Sequence, residues 1–389
     1  MQNMQRRGAA HQSISRKRAY MLNIDHIAKQ SPPLQSWEWP PVAVASQGKL
    51  DADFDAFMAM SSEKQREYLK QLRKDPKEHS FLLHEFLGIV SGYFFGYQDS
   101  PLFLDVDDDF EINIQKAKIV LEREAKDYWL QLPETEEIPD VETAVRRLRE
   151  IAASNPSLSH PLFPYLHNHA SAEGLRVFLW NEVIRNEVVD DEVAMLSVGM
   201  QGLMKVSTVS NLWDELGHGT LRNLHTYWLR RLLDGLGTVE DFMQYRTTSR
   251  PWFTKITTNI FNILLSRPGL KFMKYGWFLT NEGWVEPHFR DIVEGMNRVG
   301  FVSEDIQVYF TAHISIDPIH TSELIDGLRL QVPALRPKEL GQIVAGAHMA
   351  VAAAKAQYDY VYQYIKEITE KNTPAQAINA NDPQPVEEG

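Results

Sequence analysis

The chain has 389 residues, 43% hydrophobic and 24% charged, with 52 acidic against 40 basic side chains and a formal net charge of −12. Such a composition supports a substantial core in one large domain or two smaller ones, and its acidity argues against a nucleic-acid partner, whose phosphates want a basic face. There is no cysteine, which excludes disulfides, thiolate zinc or iron–sulfur ligation and cysteine nucleophiles, so any metal must take oxygen and nitrogen ligands.

Residues 1–50 read as a basic arm and proline-rich linker. Arg6, Arg7, Arg16, Lys17 and Arg18 precede the first acid, Asp25, and Pro32-Pro33 and Pro40-Pro41 frame Trp37 and Trp39. The arm has weak transit-peptide character but no apolar h-region, so no secretory signal is expected. No stretch reaches the ~18 apolar residues of a membrane span; a soluble, cytoplasmic protein without a membrane partner is the expectation.

Residues 51–160 read as an N-terminal helical region. Capping residues from Ser61 open a helix over 65–74, and 81–97 is a largely apolar stretch holding His84 and Glu85. Amphipathic spacing predicts a helix over 109–131 (Phe110, Ile114, Ala117, Val120, Leu121, Ala125, Tyr128), and another follows over 141–154 after an acidic linker at 132–139. His160, His167 and His169 gather in a proline-flanked loop, where polar capping is a better reading than ligation.

Residues 161–370 read as a helical domain, with core helices over 171–206 and 220–236, a glycine-dotted helical segment over 252–296 and a long helix over 337–369. Residues 371–389 form a polar tail expected to be disordered. Strand alternation is nearly absent, and there is no Walker loop and no dinucleotide glycine fingerprint, so the fold class expected is all-α.

The chemistry concentrates in the run His313-Ile-Ser-Ile-Asp317-Pro-Ile-His320, an H-x3-D-x2-H pattern. On a helix its polar residues fall within an arc of roughly 60°, and two imidazoles with a carboxylate on one stripe can bind non-haem iron or another first-row metal while leaving positions open. The alternative is a polar stripe on a surface helix, but Ile314, Ile316 and Ile319 favour burial. Upstream, Trp213-Asp214-Glu215-Leu216-Gly217-His218-Gly219 leads on to His225. Glu215 and His225 would stand ~15 Å apart on a straight helix, so sharing a metal requires a break, which Gly217 and Gly219 permit. His218 reads as exposed or as supporting a ligand. Glu182 and Glu282 lie amid apolar residues where an unpaired charge is expensive.

These motifs, W-D-E-x-G-x-G followed by a histidine and the later H-x3-D-x2-H, resemble the haem-oxygenase-like di-iron oxidases and oxygenases. The resemblance covers roughly residues 165–370 and implies a haem-oxygenase-like helical bundle, here with extra N-terminal helices. It further implies a ligand set of His225, His313, Asp317 and His320 with Glu215, together with Glu282 or Glu286 and Glu182 or Glu187. The extra carboxylate ten residues before the middle histidine, Glu215 before His225, is similar to members that oxidise the nitrogen of amines or guanidines. The full set implied is then Glu182, Glu215, His225, Glu282, His313, Asp317 and His320, holding two Fe(II) ions or an iron–manganese pair, with O2 as co-substrate.

The expected function is accordingly an O2-dependent oxygenase acting on a small amine, amino acid or guanidine in a biosynthetic pathway, with an external electron donor as a further partner and a homodimer as the assembly. The alternatives are oxidative cleavage of C–C or C–H bonds in an amino or fatty acid, and a cofactorless or non-catalytic protein of the same fold. Trp180, Trp213, Tyr227, Trp277, Trp284 and Tyr309 are candidates to wall a pocket or simply to pack helices.

Overall fold

The computed structural model describes residues 49–96, 107–130, 132 and 134–372; helices joined by loops and turns make up this part, with no strand among the described residues. The expected arm with Trp37 and Trp39, and the tail beyond 372, lie outside the described residues.

The first helices begin where the sequence supplies a capping oxygen. α1 spans Lys49–Ala59; α2, Ser62–Leu72, is capped by Ser61 Oγ accepting from the Lys64 amide; and α3, Pro76–Phe95, is capped by Asp75 with a proline in its first turn. Asp107 caps α4, Asp108–Glu124, and Asp140 caps α5, Val141–Ala153. A short α6, Leu162–Asn168, leads to α7, Ala172–Asn186, capped by Ser171, then to α8, Val189–Ser197, and α9, Gly202–Glu215. After two single 3₁₀ turns come α10, His225–Asp234, α11, Val239–Gln244, and α12, Ile256–Leu265. Three long helices close the chain: α13, Lys271–Val299, α14, Glu304–Arg329, and α15, Pro337–Lys371.

These last three form the scaffold. α13 lies along both α14 and α15; α14 packs on α9 and α10, and α15 on α5, α7 and α12. The contact between α13 and α15 is set by two glycines: a Cβ at Gly276 would stand 1.8 Å from the Ile343 carbonyl oxygen, and one at Gly346 would stand 1.9 Å from that of Met273. Backbone meets backbone there, so no rotamer change can make room. Gly276→Leu is expected to force the helices apart and destabilise the fold by about 3 kcal/mol, read as a lowered urea midpoint.

The buried apolar side chains form two clusters. One joins Phe57, Leu83, Leu121 and Leu148 of the N-terminal helices to Ile260, Trp277 and Ala350, so α1–α5 share a core with α12, α13 and α15. The other joins α6, α7, α10 and α14 through Phe163, Leu179, Leu229 and Phe310. Pro318 removes one amide from the ladder of α14, yet the helix continues through it to Arg329. Among the described residues no helix is long and apolar enough to cross a membrane.

Candidate metal centre

α9 stops at Glu215, and the chain turns through Gly217, His218 and Gly219, all at positive φ, before α10 restarts at His225. Gly217 is required there: with φ +56°, its Cβ would meet the Asn223 carbonyl carbon at 2.3 Å. Two residues that a straight helix would separate are thereby folded back on each other, His225 Nδ1 standing 2.7 Å from Glu215 Oε2. From α14, the His313 ring meets the His225 ring edge-on at 4.5 Å. Glu215, His225 and His313 form one buried group of converging donor atoms. The Nδ1–H of His313 donates to the Tyr309 carbonyl at 2.6 Å, which leaves Nε2 as its lone-pair nitrogen.

One turn further along α14, Asp317 and His320 meet Glu282 of α13 in a second group. His320 Nδ1 lies 3.0 Å from Glu282 Oε2 and 3.6 Å from Asp317 Oδ1. On its other side, Nε2 lies 3.0 Å from Asp214 Oδ2, and Asp214 Oδ1 in turn lies 2.5 Å from Nε2 of the partly exposed His218. Asp214 therefore fixes the ring so that Nε2–H donates to it and Nδ1 faces Glu282 and Asp317.

Both groups border one small cavity, lined by Glu215, His313, Glu282 and Asp317 and, beyond them, by Glu182, Arg185 and Glu192. Its walls draw on both apolar clusters, with Phe261 and Trp284 from one and Phe163 and Tyr309 from the other. The site thus lies where the two halves of the core meet. Of the aromatic candidates, Trp284 and Tyr309 line this cavity, Trp180, Tyr227 and Trp277 are buried without lining it, and Trp213 is 51% exposed, stacked on His218.

Burial and charge act on these groups in opposite directions. Burial would raise the Glu215 carboxyl, but the His225, His313 and His320 imidazoles outweigh it and hold it down to about 2. His313 is pushed down to about 3 by burial and then by His225, which keeps it a neutral imidazole. Burial alone would lower His320, yet Asp214, Asp317 and Glu282 raise it well above the usual histidine range. Glu282 and Asp317 are both raised, by burial first and, for Asp317, by the Glu282 charge next. The Glu182 carboxyl goes up to about 7 by burial.

Residues 176–355 match the family described as iron-containing redox enzyme. Over that region the chain is similar to this family. All seven residues of the expected ligand set fall inside it. No curated protein matches the chain. Among solved structures, a CADD-like protein of unknown function from Nostoc punctiforme PCC 73102 is similar at 16% identity, covering 59% of this chain and 96% of that one with a TM-score of 0.48. A domain of unknown function with a haem-oxygenase-like fold from Shewanella denitrificans OS217 is similar at 12% identity, covering 60% of this chain and 94% of that one with a TM-score of 0.44.

The donor set suits iron. It holds only oxygen and nitrogen donors, and two buried carboxylate oxygens, Glu215 Oε2 and Asp317 Oδ1, accept no well-aligned hydrogen bond. Carboxylate and imidazole atoms gathered within 4.8 Å of one another in each buried group are what a cation would satisfy.

The remaining candidates separate by what they touch. Glu187 is buried in a two-pronged pair with Arg246, one arm 2.8 Å long, so its charge is already met. Glu286, partly exposed, pairs at 2.8 Å with the exposed Arg290. Glu182 lines the cavity but joins neither three-residue group. His160 pairs with Asp359 and His167 with Asp291, and neither they nor His169 enter either group.

Asp214 stands against His320, a position that the sequence reading did not assign to it. Its place in the W-D-E run was visible, but its role depends on which face of α9 meets α14, and that is a tertiary fact.

Proposed function

We propose that this protein is an O2-dependent non-haem di-iron oxygenase, holding one iron at Glu215, His225 and His313 and a second at Glu282, Asp317 and His320, and that it oxygenates the nitrogen of a small amine, amino acid or guanidine. The observation that supports this most directly is the convergence of two buried three-residue groups of oxygen and nitrogen donors on one cavity. N-oxygenation draws on Glu215 standing ten residues before His225 and on the glycine break that lets it join that histidine.

When bound, the iron pair would supply the electrons for O2 reduction, which no side chain here can provide. The residues do the rest. Glu215, held deprotonated by the imidazoles, keeps a negative charge at the first group, and the Tyr309 carbonyl and Asp214 orient His313 and His320. The Phe163, Phe261, Trp284 and Tyr309 walls exclude water, and Glu182 hangs in the cavity as a carboxyl able to hold or release a proton near neutral pH.

Anaerobic loading with Fe(II) is expected to give about two ions per chain, and mixing with O2 a transient visible absorbance. With small amines and guanidines present, mass spectrometry should show products that gain oxygen atoms. No iron uptake by the folded chain sinks the reading, and release of carbon fragments without oxygen gain moves it to bond cleavage.

A further inference from the structure

The cavity has a second polar end that the metal groups do not use. Glu192, in the first turn of α8, is 1% exposed and lines the cavity, as does Arg185, one turn beyond Glu182 on α7. Arg185 Nη1 donates to Glu192 Oε2 at 2.8 Å, whereas Glu192 Oε1 is buried with no hydrogen-bond partner. A buried carboxylate oxygen left without a donor is costly. Burial accordingly raises the Glu192 carboxyl, Arg185 countering only part of the effect.

The charges of the lining point the same way. Among the described residues Arg185 is the one arginine or lysine that lines the cavity, against five carboxylates. With Glu215, Glu282 and Asp317 assigned to metal, Glu182 and Glu192 still face the single guanidinium of Arg185, leaving an excess of one negative charge when both are ionised.

We propose that Glu192 receives a cationic nitrogen of the substrate, an ammonium or guanidinium, on Oε1 while Arg185 holds Oε2. The inference rests on the oxygenase reading in taking this cavity as the substrate site, and it makes the substrate a molecule whose positive group is anchored at Glu192 while another part reaches the metal groups. Phe261 and Tyr358 line the same cavity and give a methylene chain an apolar wall. Specificity then comes from a carboxylate that is satisfied only when the right charge arrives.

Calorimetry on the full chain tests this, with agmatine and butane-1,4-diamine as probes and butane-1,4-diol as the neutral control. Both cations should bind the wild-type protein and the diol should not. Glu192→Gln should weaken the cations at least about tenfold, the loss of one charge-assisted hydrogen bond, while Glu192→Asp retains part of the affinity. Iron content is measured on the same samples. Undiminished iron with lost cation binding in Glu192→Gln supports the proposal. It is overturned if the wild type binds neither cation, if Glu192→Gln binds them equally well with only a lower melting temperature, or if Glu192→Gln loses iron, which would make Glu192 a metal ligand. Glu192-dependent cation binding by a wild-type chain that takes up no iron would remove the oxygenase reading and leave the cation site standing.

Discussion

His313→Ala is expected to lower iron content from about two ions per chain to about one and to slow the reaction with O2 on the order of a thousandfold, equivalent to about 4 kcal/mol. His313 is the one histidine of the Glu215–His225–His313 group that reaches it from α14, and its Nδ1–H is already committed to the Tyr309 carbonyl. Alanine removes the remaining nitrogen and supplies nothing in return. Glu215 would stay ionised beside His225, so the site would keep its charge and lose a ligand. The fold should tolerate the change better than the metal does, because α14 holds its place through Ile316, Ile319 and Leu324, all buried. Anaerobic iron titration followed by stopped-flow absorbance checks both halves. Two irons retained with full O2 reactivity would remove His313 from the centre.

Much of this was legible in the sequence because the information was local. The H-x3-D-x2-H run places its three polar residues on one stripe of a helix whatever surrounds it, and α14 carries them so. The helices expected over 141–154 and 337–369 are found over 141–153 and 337–371, the first capped by Asp140 and the second with a proline in its first turn. Gly217 and Gly219 marked a break, and the break is what folds His225 back to Glu215.

What could not be read was which carboxylate meets which partner across elements. Glu187 and Glu182 lie five residues apart on the same stretch with similar neighbours; only the placement of Arg246, distant in sequence, shows that Glu187 is already paired. Glu286 and Glu282 are separated the same way, by their partners: Glu286 pairs with the exposed Arg290 of its own helix and Glu282 with His320 of α14. The core helices expected over 171–206 are α7, α8 and α9, whose separate bounds the sequence reading did not place. Apolar periodicity carries through such breaks because each short helix still buries a face.

Asp214→Asn is expected to weaken iron binding at the Glu282–Asp317–His320 group by about ten- to a hundredfold, the usual cost of losing a partner behind a ligating histidine. Asp214 Oδ2 lies 3.0 Å from His320 Nε2, on the side of the ring turned away from Glu282 and Asp317. Its charge does two things there: it fixes the tautomer that presents Nδ1 to the metal side, and it makes the imidazole a better electron donor. An asparagine oxygen can still accept from Nε2–H, so the ring need not move, but the negative charge behind it is gone. Iron titration should therefore show one tight ion and one weakened ion per chain, with a melting temperature for the metal-free protein close to that of the wild type. His218→Ala separates the two neighbours of Asp214: it removes the contact to the other oxygen, 2.5 Å away, while leaving the carboxylate against His320. Near-wild-type iron affinity in His218→Ala beside weakened affinity in Asp214→Asn would place the effect at His320, whereas equal losses in both would mean that the W-D-E turn acts by holding α9 in place.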